Sequence, residues 1–136
     1  MKIVLDTNIL VSSLSSRSKY HAIYQALVEG KYDLYLTSDI LLEYEEIISQ
    51  KYGNVITQIF LDLIHEAPNV HQINVYYQWE FITLDKDDNK YVDCAIGAGA
   101  DYLVSEDRHF QVLKMVVFPK VQVISIADFV KLLADG

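Results

Sequence analysis

The feature that most constrains this chain is a regular alternation of short apolar runs with longer segments whose apolar residues recur every three or four positions. Short β-branched runs are typical of buried strands, and the longer spacing is typical of amphipathic helices. Strands are predicted at 2–5, 33–37, 70–75, 101–104 and 121–124, and helices at 21–29, 38–51, 54–64, 89–98, 108–113 and 125–133. This alternation predicts an α/β protein, a three-layer α/β/α sandwich with a central parallel sheet.

Polar residues next to these runs predict several helix ends. Ser38 and Asn54 are predicted N-caps, and Ser125 with Asp128 forms a capping box for the last helix. The helix from Asn54 carries an apolar stripe that is expected to face the core, with a homodimer face as the alternative. The stripe consists of Ile56, Ile59, Phe60, Leu63 and Ile64.

Length and composition predict a single domain over residues 1–136. With one cysteine, Cys94, the chain has no intrachain disulfide and no cysteine-built metal site, which favours a reducing, cytoplasmic setting. Asp6 interrupts the first apolar run too early for a signal peptide, and no apolar stretch is long enough for a membrane span.

The charge balance limits how the chain can bind nucleic acid. It has 19 acidic and 11 basic residues, a net charge of −8. Proteins that coat nucleic acid by charge alone need a basic surface, so that class is disfavoured. An enzyme whose clustered carboxylates hold cations stays compatible with this balance.

Several acidic residues fall where a parallel sheet places its functional groups, beyond the carboxyl ends of the strands. Asp6 follows the first strand and Asp107 follows the strand at 101–104. Glu43 lies in the second turn of the helix after the second strand. Each has an ordinary alternative, since Asp6 and Asp107 are also suited to cap helices and Glu43 to face solvent.

A second acidic group precedes the strand at 101–104. Asp93 lies on the helix before that strand, and Asn89, four residues earlier, shares its helix face. Asp88 stands at the start of the same helix, where a capping role is the alternative. Acids gathered at one sheet edge repel one another unless a cation intervenes. Mg²⁺ or Mn²⁺ takes oxygen ligands and binds phosphate, which predicts metal-assisted phosphodiester hydrolysis.

Taken in order, four motifs resemble those of a PIN domain. They are most similar to those of a bacterial and archaeal group of toxins from toxin–antitoxin pairs, which resembles but is not identical with the VapC-type toxins. The motifs are the run Asp6-Thr7-Asn8, the helix segment from Ser38 to Glu43, the segment from Asp88 to Asp93, and the segment from Asp101 to His109 with its Ser105 and Asp107. The resemblance covers nearly the whole chain. It implies a sheet of about five strands and a metal-dependent ribonuclease.

The resemblance also implies residue roles. It assigns the catalytic and metal-binding acids to Asp6, Glu43, Asp93 and Asp107, with Mg²⁺ or Mn²⁺ as cofactor. Either Asp88 or Asp93 matches the third acid, and the small residues after Asp93 favour Asp93. The orienting residues are Asn8 and Ser105, joined by Asp88 and Asn89 near the site.

For partners, the resemblance implies an RNA substrate, an antitoxin protein and a homodimer, with no membrane. Arg17 and Lys19 in the serine-rich loop and Arg108 and His109 beside Asp107 are the candidate substrate contacts, with solvated charges as the alternative. An antitoxin with an arginine or lysine side chain would suit a carboxylate cluster.

Three other functions fit the sequence less well. A catalytically inactive PIN-like module would bind RNA or protein through the same fold. A receiver-type signalling domain needs an acidic pair after the first strand and a lysine after the last, where Ser125 stands. A dehalogenase-type phosphatase needs an aspartate where Asn8 stands.

Replacement of Asp6 by Asn is expected to abolish metal-dependent RNA cleavage and to leave the melting temperature equal or higher. The reason is that the change removes one carboxylate of a like-charge cluster. Cleavage of RNA and thermal unfolding measured on the same preparation check both parts. Full cleavage activity in Asp6→Asn would contradict the assignment.

Overall fold

The computed structural model describes residues 1–83 and 85–136 and contains a sheet of five parallel strands. The order across the sheet is β3-β2-β1-β4-β5. The strands are β1 (Lys2–Leu5), β2 (Asp33–Leu36), β3 (Val70–Gln72), β4 (Tyr102–Val104) and β5 (Val123–Ile124). Helices flank this sheet, so the predicted α/β architecture with a central parallel sheet is confirmed.

Six α-helices and two 3₁₀ helices connect the strands among the described residues. The α-helices are α1 (Thr7–Ser13), α2 (His21–Val28), α3 (Ser38–Tyr52), α4 (Asn54–Glu66), α5 (Asn89–Ala98) and α6 (Ile126–Asp135). The 3₁₀ helices span Lys86–Asp88 and Arg108–Met115. Helix α5 packs against the three central strands β2, β1 and β4, which places its first residues close to their ends.

The central strand β1 is buried on both faces, as its uninterrupted apolar run predicts. Ile3, Val4 and Leu5 have no exposed surface. From β1 the chain crosses to β2 on one side, and it later returns to form β4 on the other side. Strand order therefore reverses at β1, which is the position where open α/β sheets form ligand crevices.

Tyr44 on α3 fixes that helix above the end of β1. Its side chain is fully buried, its ring meets Phe60 edge to face at 6.1 Å, and its hydroxyl donates to the carbonyl of Leu5. The contact joins α3, which carries Glu43, to the strand that precedes Asp6. It is therefore part of the frame that positions the acids.

Several predicted boundaries differ from the structure. Thr37, and not Ser38, caps α3, because its hydroxyl accepts a hydrogen bond from the backbone N–H of Ile40 at 3.3 Å. Gly53, with a φ of 85°, is the N-cap of α4 in place of Asn54. The strands at 70–75 and 121–124 shorten to Val70–Gln72 and Val123–Ile124. The helix predicted at 108–113 is a longer 3₁₀ helix.

The apolar stripe of α4 is only partly buried. Phe60 and Ile64 pack inward, whereas Ile56 and Ile59 are 39% and 55% exposed. The prediction that all five residues face the core is wrong because α4 packs mainly on α3, and one helix covers only part of a wide stripe. No helix among the described residues is long and apolar enough to cross a membrane.

Replacement of Tyr44 by Phe is expected to lower the free energy of unfolding by about 1–2 kcal/mol, because the buried carbonyl of Leu5 loses a donor. Urea unfolding followed by circular dichroism measures the change. Tyr76→Phe is the control, since that side chain is 92% exposed. Equal unfolding midpoints for the two variants would show that the hydroxyl contributes nothing.

Candidate active site

Asp6 and Asp107 are joined by the hydroxyl of Ser105. The backbone N–H of Asp6 donates to the carbonyl of Val104 at 3.1 Å, which extends the β1–β4 pairing to the acid. Ser105 Oγ donates to Asp6 Oδ2 at 2.7 Å and accepts from the backbone N–H of Asp107 at 3.0 Å. Ser105 thus holds the first acid against the loop that carries the last one, the orienting position that the resemblance implies.

Asp88 and Asp107 meet at His109. The Nδ1 atom of His109 lies 3.1 Å from Asp88 Oδ2 and 3.4 Å from Asp107 Oδ1. Asp107 also accepts from the backbone N–H of His109 at 2.9 Å, which begins the second 3₁₀ helix. His109 was predicted as a substrate contact. In the structure its ring lies between two of the acids.

Glu43 is held by three donors from two helices, Thr7 on α1 and Lys90 and Tyr91 on α5. Thr7 Oγ1 and the Tyr91 hydroxyl both donate to Oε2, and Lys90 Nζ lies 2.9 Å from Oε1. Lys90 also lies 2.9 Å from Asp87 Oδ2. Burial by itself raises the pKa of Glu43, but these three donors outweigh it and lower the pKa to about 2. Glu43 is therefore an ionised, internally compensated carboxylate.

Asp6 and Asp88 are destabilised as anions. Burial raises the pKa of Asp6, hydrogen bonding from Ser105 and Asn8 N–H lowers it, and the charges of Asp107 and Glu43 raise it further. Burial likewise raises the pKa of Asp88 to about 6, opposed by His109 and reinforced by Asp107, Asp85 and Asp6. Asp6, Glu43, Asp88 and Asp107 therefore form one electrostatic group.

Asp93 does not belong to this group. Its Oδ1 accepts from the backbone N–H of Trp79 at 3.1 Å, and the charge that raises its pKa, after burial, is that of Glu80. Five residues along a helix correspond to a rotation of roughly 140°, so Asp88 and Asp93 point to different sides of α5. The prediction that Asp93 is the third acid therefore stays open, and the contacts of Asp88 with His109 make Asp88 the other candidate.

The side chain of Asn89, like that of Asp93, binds the segment 79–82 and not the carboxylates of Asp6, Asp88 or Asp107. Its side chain accepts from the N–H of Ile82 at 2.9 Å and donates to the carbonyl of the same residue at 2.8 Å. Asn89 and Asp93 together fasten residues 79–82 to α5. That segment lines a cleft of about 930 Å³, whose other walls include α3, α5, the residues after β3 and the first 3₁₀ helix.

The other predicted residues lie at the edge of the site. The side chain of Asn8 is exposed, and its backbone N–H, not its amide, acts on Asp6. Arg17, Lys19 and Arg108 are exposed. Within residues 1–83 and 85–136, none of these three cations pairs with an acid of the group.

Sequence reasoning missed the donors around Glu43. Thr7 directly follows Asp6, and Lys90 and Tyr91 lie in the first turn of α5, close to Asp88. A search for acidic residues passes over them because their role depends on a helix that approaches from far along the chain. The sequence signal for these donors was their position within three residues of Asp6 or Asp88, both of which are predicted site residues.

The donor set fits a hard divalent cation. Asp6, Asp88 and Asp107 offer carboxylate oxygens, which Mg²⁺ and Mn²⁺ prefer. Among residues 1–83 and 85–136, the ligand atoms that all lie within 4.8 Å of one another belong to Asp85, Asp88 and His109. A cation at the oxygens would offset the burial, and relieve the smaller repulsion, that raise the pKa values of Asp6 and Asp88.

The sheet order and the acids at the end of β1 define an α/β domain of PIN type. The PIN domain family model matches residues 2–109, and the chain belongs to this family. No curated protein matches the chain in sequence.

Solved structures share the fold at low sequence identity. VapBC2 from Rickettsia felis, solved bound to a DNA fragment from its promoter, has a chain 17% identical, with a TM-score of 0.61 over 92% of this chain and 98% of that one. VapC20 of Mycobacterium tuberculosis, a toxin that cleaves the sarcin-ricin loop, is 13% identical, with a TM-score of 0.60 over 80% of this chain and 92% of that one.

Replacement of Asp88 by Asn is expected to stabilise the protein at pH 7 when divalent cations are absent. The pKa of Asp88 in the folded protein, about 6, exceeds its ordinary value of 3.8, so the folded state loses stability as pH rises between these values. A gain of about 1–2 kcal/mol would raise the melting temperature by roughly 3–8 °C.

The gain should disappear near pH 4, where Asp88 is largely protonated in the folded wild type. Asp62→Asn on α4 removes the same charge from an exposed position and serves as the control. Melting curves at pH 4 and pH 7 in EDTA measure both variants. A gain that is equal at the two pH values would contradict the assigned cause.

Proposed function

We propose that this protein is a Mg²⁺- or Mn²⁺-dependent endoribonuclease that hydrolyses RNA phosphodiester bonds. The observation that carries the proposal is a chain of contacts in which Ser105 joins Asp6 to the loop of Asp107 and His109 joins Asp107 to Asp88. Burial, and then the charges of neighbouring acids, raise the pKa values of Asp6 and Asp88 there. Three such acids are costly to the fold, and their arrangement suits a cation that also binds phosphate.

We assign the metal ligands to Asp6, Asp88 and Asp107, with Asp88 in place of Asp93. A bound ion would supply stabilisation of the charge that develops on phosphate and would activate water. Ser105 fixes the carboxylate of Asp6 and the backbone of Asp107 before the ion arrives. That preorganisation lowers the cost of assembling the site.

Glu43 serves the site from its edge. Its charge acts on Asp6, while Thr7, Tyr91 and Lys90 fix its orientation. Because Lys90 compensates that charge, Glu43 can stay ionised without adding a full anion to the cluster. We propose that it orients water or completes the metal shell from this position.

We further propose that the protein is the toxin of a toxin–antitoxin pair and acts in the cytoplasm. The support is the PIN family and the likeness of fold to VapBC2 and VapC20. The cleft beside Glu43 carries Asp39, Glu46 and Glu80, which suits a basic side chain of an antitoxin. The exposed Ile56 and Ile59 of α4 favour a homodimer.

An inactive PIN-like binding module is the second candidate, because the ring of His109 contacts both Asp88 and Asp107 and engages oxygens that a cation would need. Such a module would bind RNA or protein and leave RNA intact. Calorimetry with Mg²⁺ and Mn²⁺, combined with RNA cleavage, separates the two functions. Cation binding without cleavage of any RNA offered would favour the module.

Two matched variants test the identity of the third acid. Asp88→Asn is expected to lower the rate of RNA cleavage by roughly 100-fold or more, because a charge-stabilising group is lost from the reacting centre. Asp93→Asn keeps an acceptor for the N–H of Trp79 and should stay within a few-fold of wild type. Initial rates on a single-stranded RNA at saturating Mn²⁺ measure both. The reverse order of effects would restore Asp93 as the third acid.

A further inference from the structure

A second cavity, of about 400 Å³, adjoins the acids, and the proposed function gives it no role so far. Asp6 and Asp107 form part of its lining, so a molecule inside it would lie next to the reacting centre. Small-molecule sites in proteins start at roughly 300 Å³. The cavity therefore has room for one ring system attached to a phosphate at the acids.

The lining combines flat apolar surface with free polar groups. Ile9 and Ile126 are buried, at 3% and 6% exposure, and the ring of Tyr20 is half-buried beside them. The amide of Asn8 also lines the cavity. Within residues 1–83 and 85–136, neither that amide nor the Tyr20 hydroxyl forms a hydrogen bond. Both groups are available to a ligand.

Glu106, the acid of this lining that lies outside the metal site, is already engaged. Its carboxylate accepts from the backbone N–H of Ile126 at 2.7 Å, at the first turn of α6. The positive end of a helix compensates a carboxylate in that position. Its negative charge is therefore a smaller obstacle to an RNA ligand than its place in the cavity suggests.

The loop that carries Tyr20 is fixed by its own serines. Ser15 Oγ accepts from the N–H of Arg17 at 3.2 Å, and Ser18 Oγ accepts from the N–H of Tyr20 at 3.1 Å. His21 Nδ1 lies 2.8 Å from the carbonyl of Ser13, which ties the end of the loop to α1. The Tyr20 ring is thus positioned in advance, and an aromatic platform that is already ordered costs less to bind on.

The ammonium group of Lys19 lies over the ring of Tyr20. Lys19 Nζ lies 5.0 Å from the centroid of Tyr20, within the range of a cation–π contact. An ammonium group beside an aromatic platform is the combination with which proteins hold the phosphate and the base of single-stranded nucleic acid. The serine-rich loop therefore supplies both a stacking surface and a phosphate contact next to the acids.

We propose that this cavity receives the base of the nucleotide adjoining the scissile phosphate. The Tyr20 ring stacks on the base, the Asn8 amide contacts its edge, and Lys19 contacts a neighbouring phosphate. Because a base must leave its stack to enter, the substrate is RNA that is unpaired at the cleavage position. The inference rests on the proposed nuclease function and adds to it a subsite that selects among bases.

Binding is tested first, in a way that needs no cleavage. The four ribonucleoside 5′-monophosphates and ribose 5-phosphate are titrated into ¹⁵N-labelled protein. We expect the nucleotides to shift the backbone amide signals of Asn8, Ser12 and Tyr20, unequally among the four bases. Ribose 5-phosphate, which lacks a base, should leave Ser12 and Tyr20 unchanged. Equal shifts with and without a base would overturn the proposal.

Kinetics provides the second test. Tyr20→Leu should raise KM for a single-stranded RNA by about 5- to 150-fold, the range expected for loss of one stacked base. Tyr20→Phe keeps the ring and should raise KM much less than Tyr20→Leu does. Tyr76→Leu is the control on an exposed tyrosine. Asn8→Ala should change the preference among bases at the cleavage position, because it removes the edge contact.

The outcomes separate the subsite from the nuclease function. Cleavage by wild type with the same KM and base preference in Tyr20→Leu and Tyr76→Leu would overturn the subsite and leave the nuclease proposal standing. Base-dependent shifts at Tyr20 in a protein that cleaves no RNA would overturn the nuclease proposal and leave a base-binding cavity.

Discussion

The register between β1 and β4 is the constraint on which the site depends. Leu5 pairs with Val104, so the next residues, Asp6 and Ser105, leave the sheet side by side. The hydrogen bond between them then follows from the pairing itself. A slip of one residue would turn Asp6 to the opposite face of the sheet and away from Ser105. Burial of the apolar strand residues on both faces keeps the register fixed.

The acids are kept together by different means. Glu43 is stabilised as an anion by Lys90 and two hydroxyl groups, and His109 partly offsets the burial of Asp88. Asp6 has only Ser105 and a backbone N–H against its burial and its neighbours. The uncompensated charge is therefore concentrated around Asp6, at the reversal of strand order. A cation bound at this position would relieve the repulsion that destabilises the folded protein there.

The sequence carried enough information for the sheet and for the acids at strand ends. A buried apolar run followed by a polar residue identified Asp6 and Asp107, because parallel strands end at one edge. Spacing alone could not predict which of Asp88 and Asp93 contacts His109, because that depends on the rotation of α5 about its axis. The exposure of Ile59 likewise depended on how much of α4 its neighbour α3 covers.

Helix α5 contacts the acidic group on one side and the wall of the large cleft on another. Asp88, just before its first turn, faces the acids, while Asn89 and Asp93 hold residues 79–82 at the wall of the large cleft. An ion among the acids and a partner in the cleft would therefore act on one rigid body. Any influence of the ion on the affinity for the partner must be returned in equal measure by the partner on the affinity for the ion. A partner in the cleft that tightened the binding of the ion would itself bind more tightly when the ion is present.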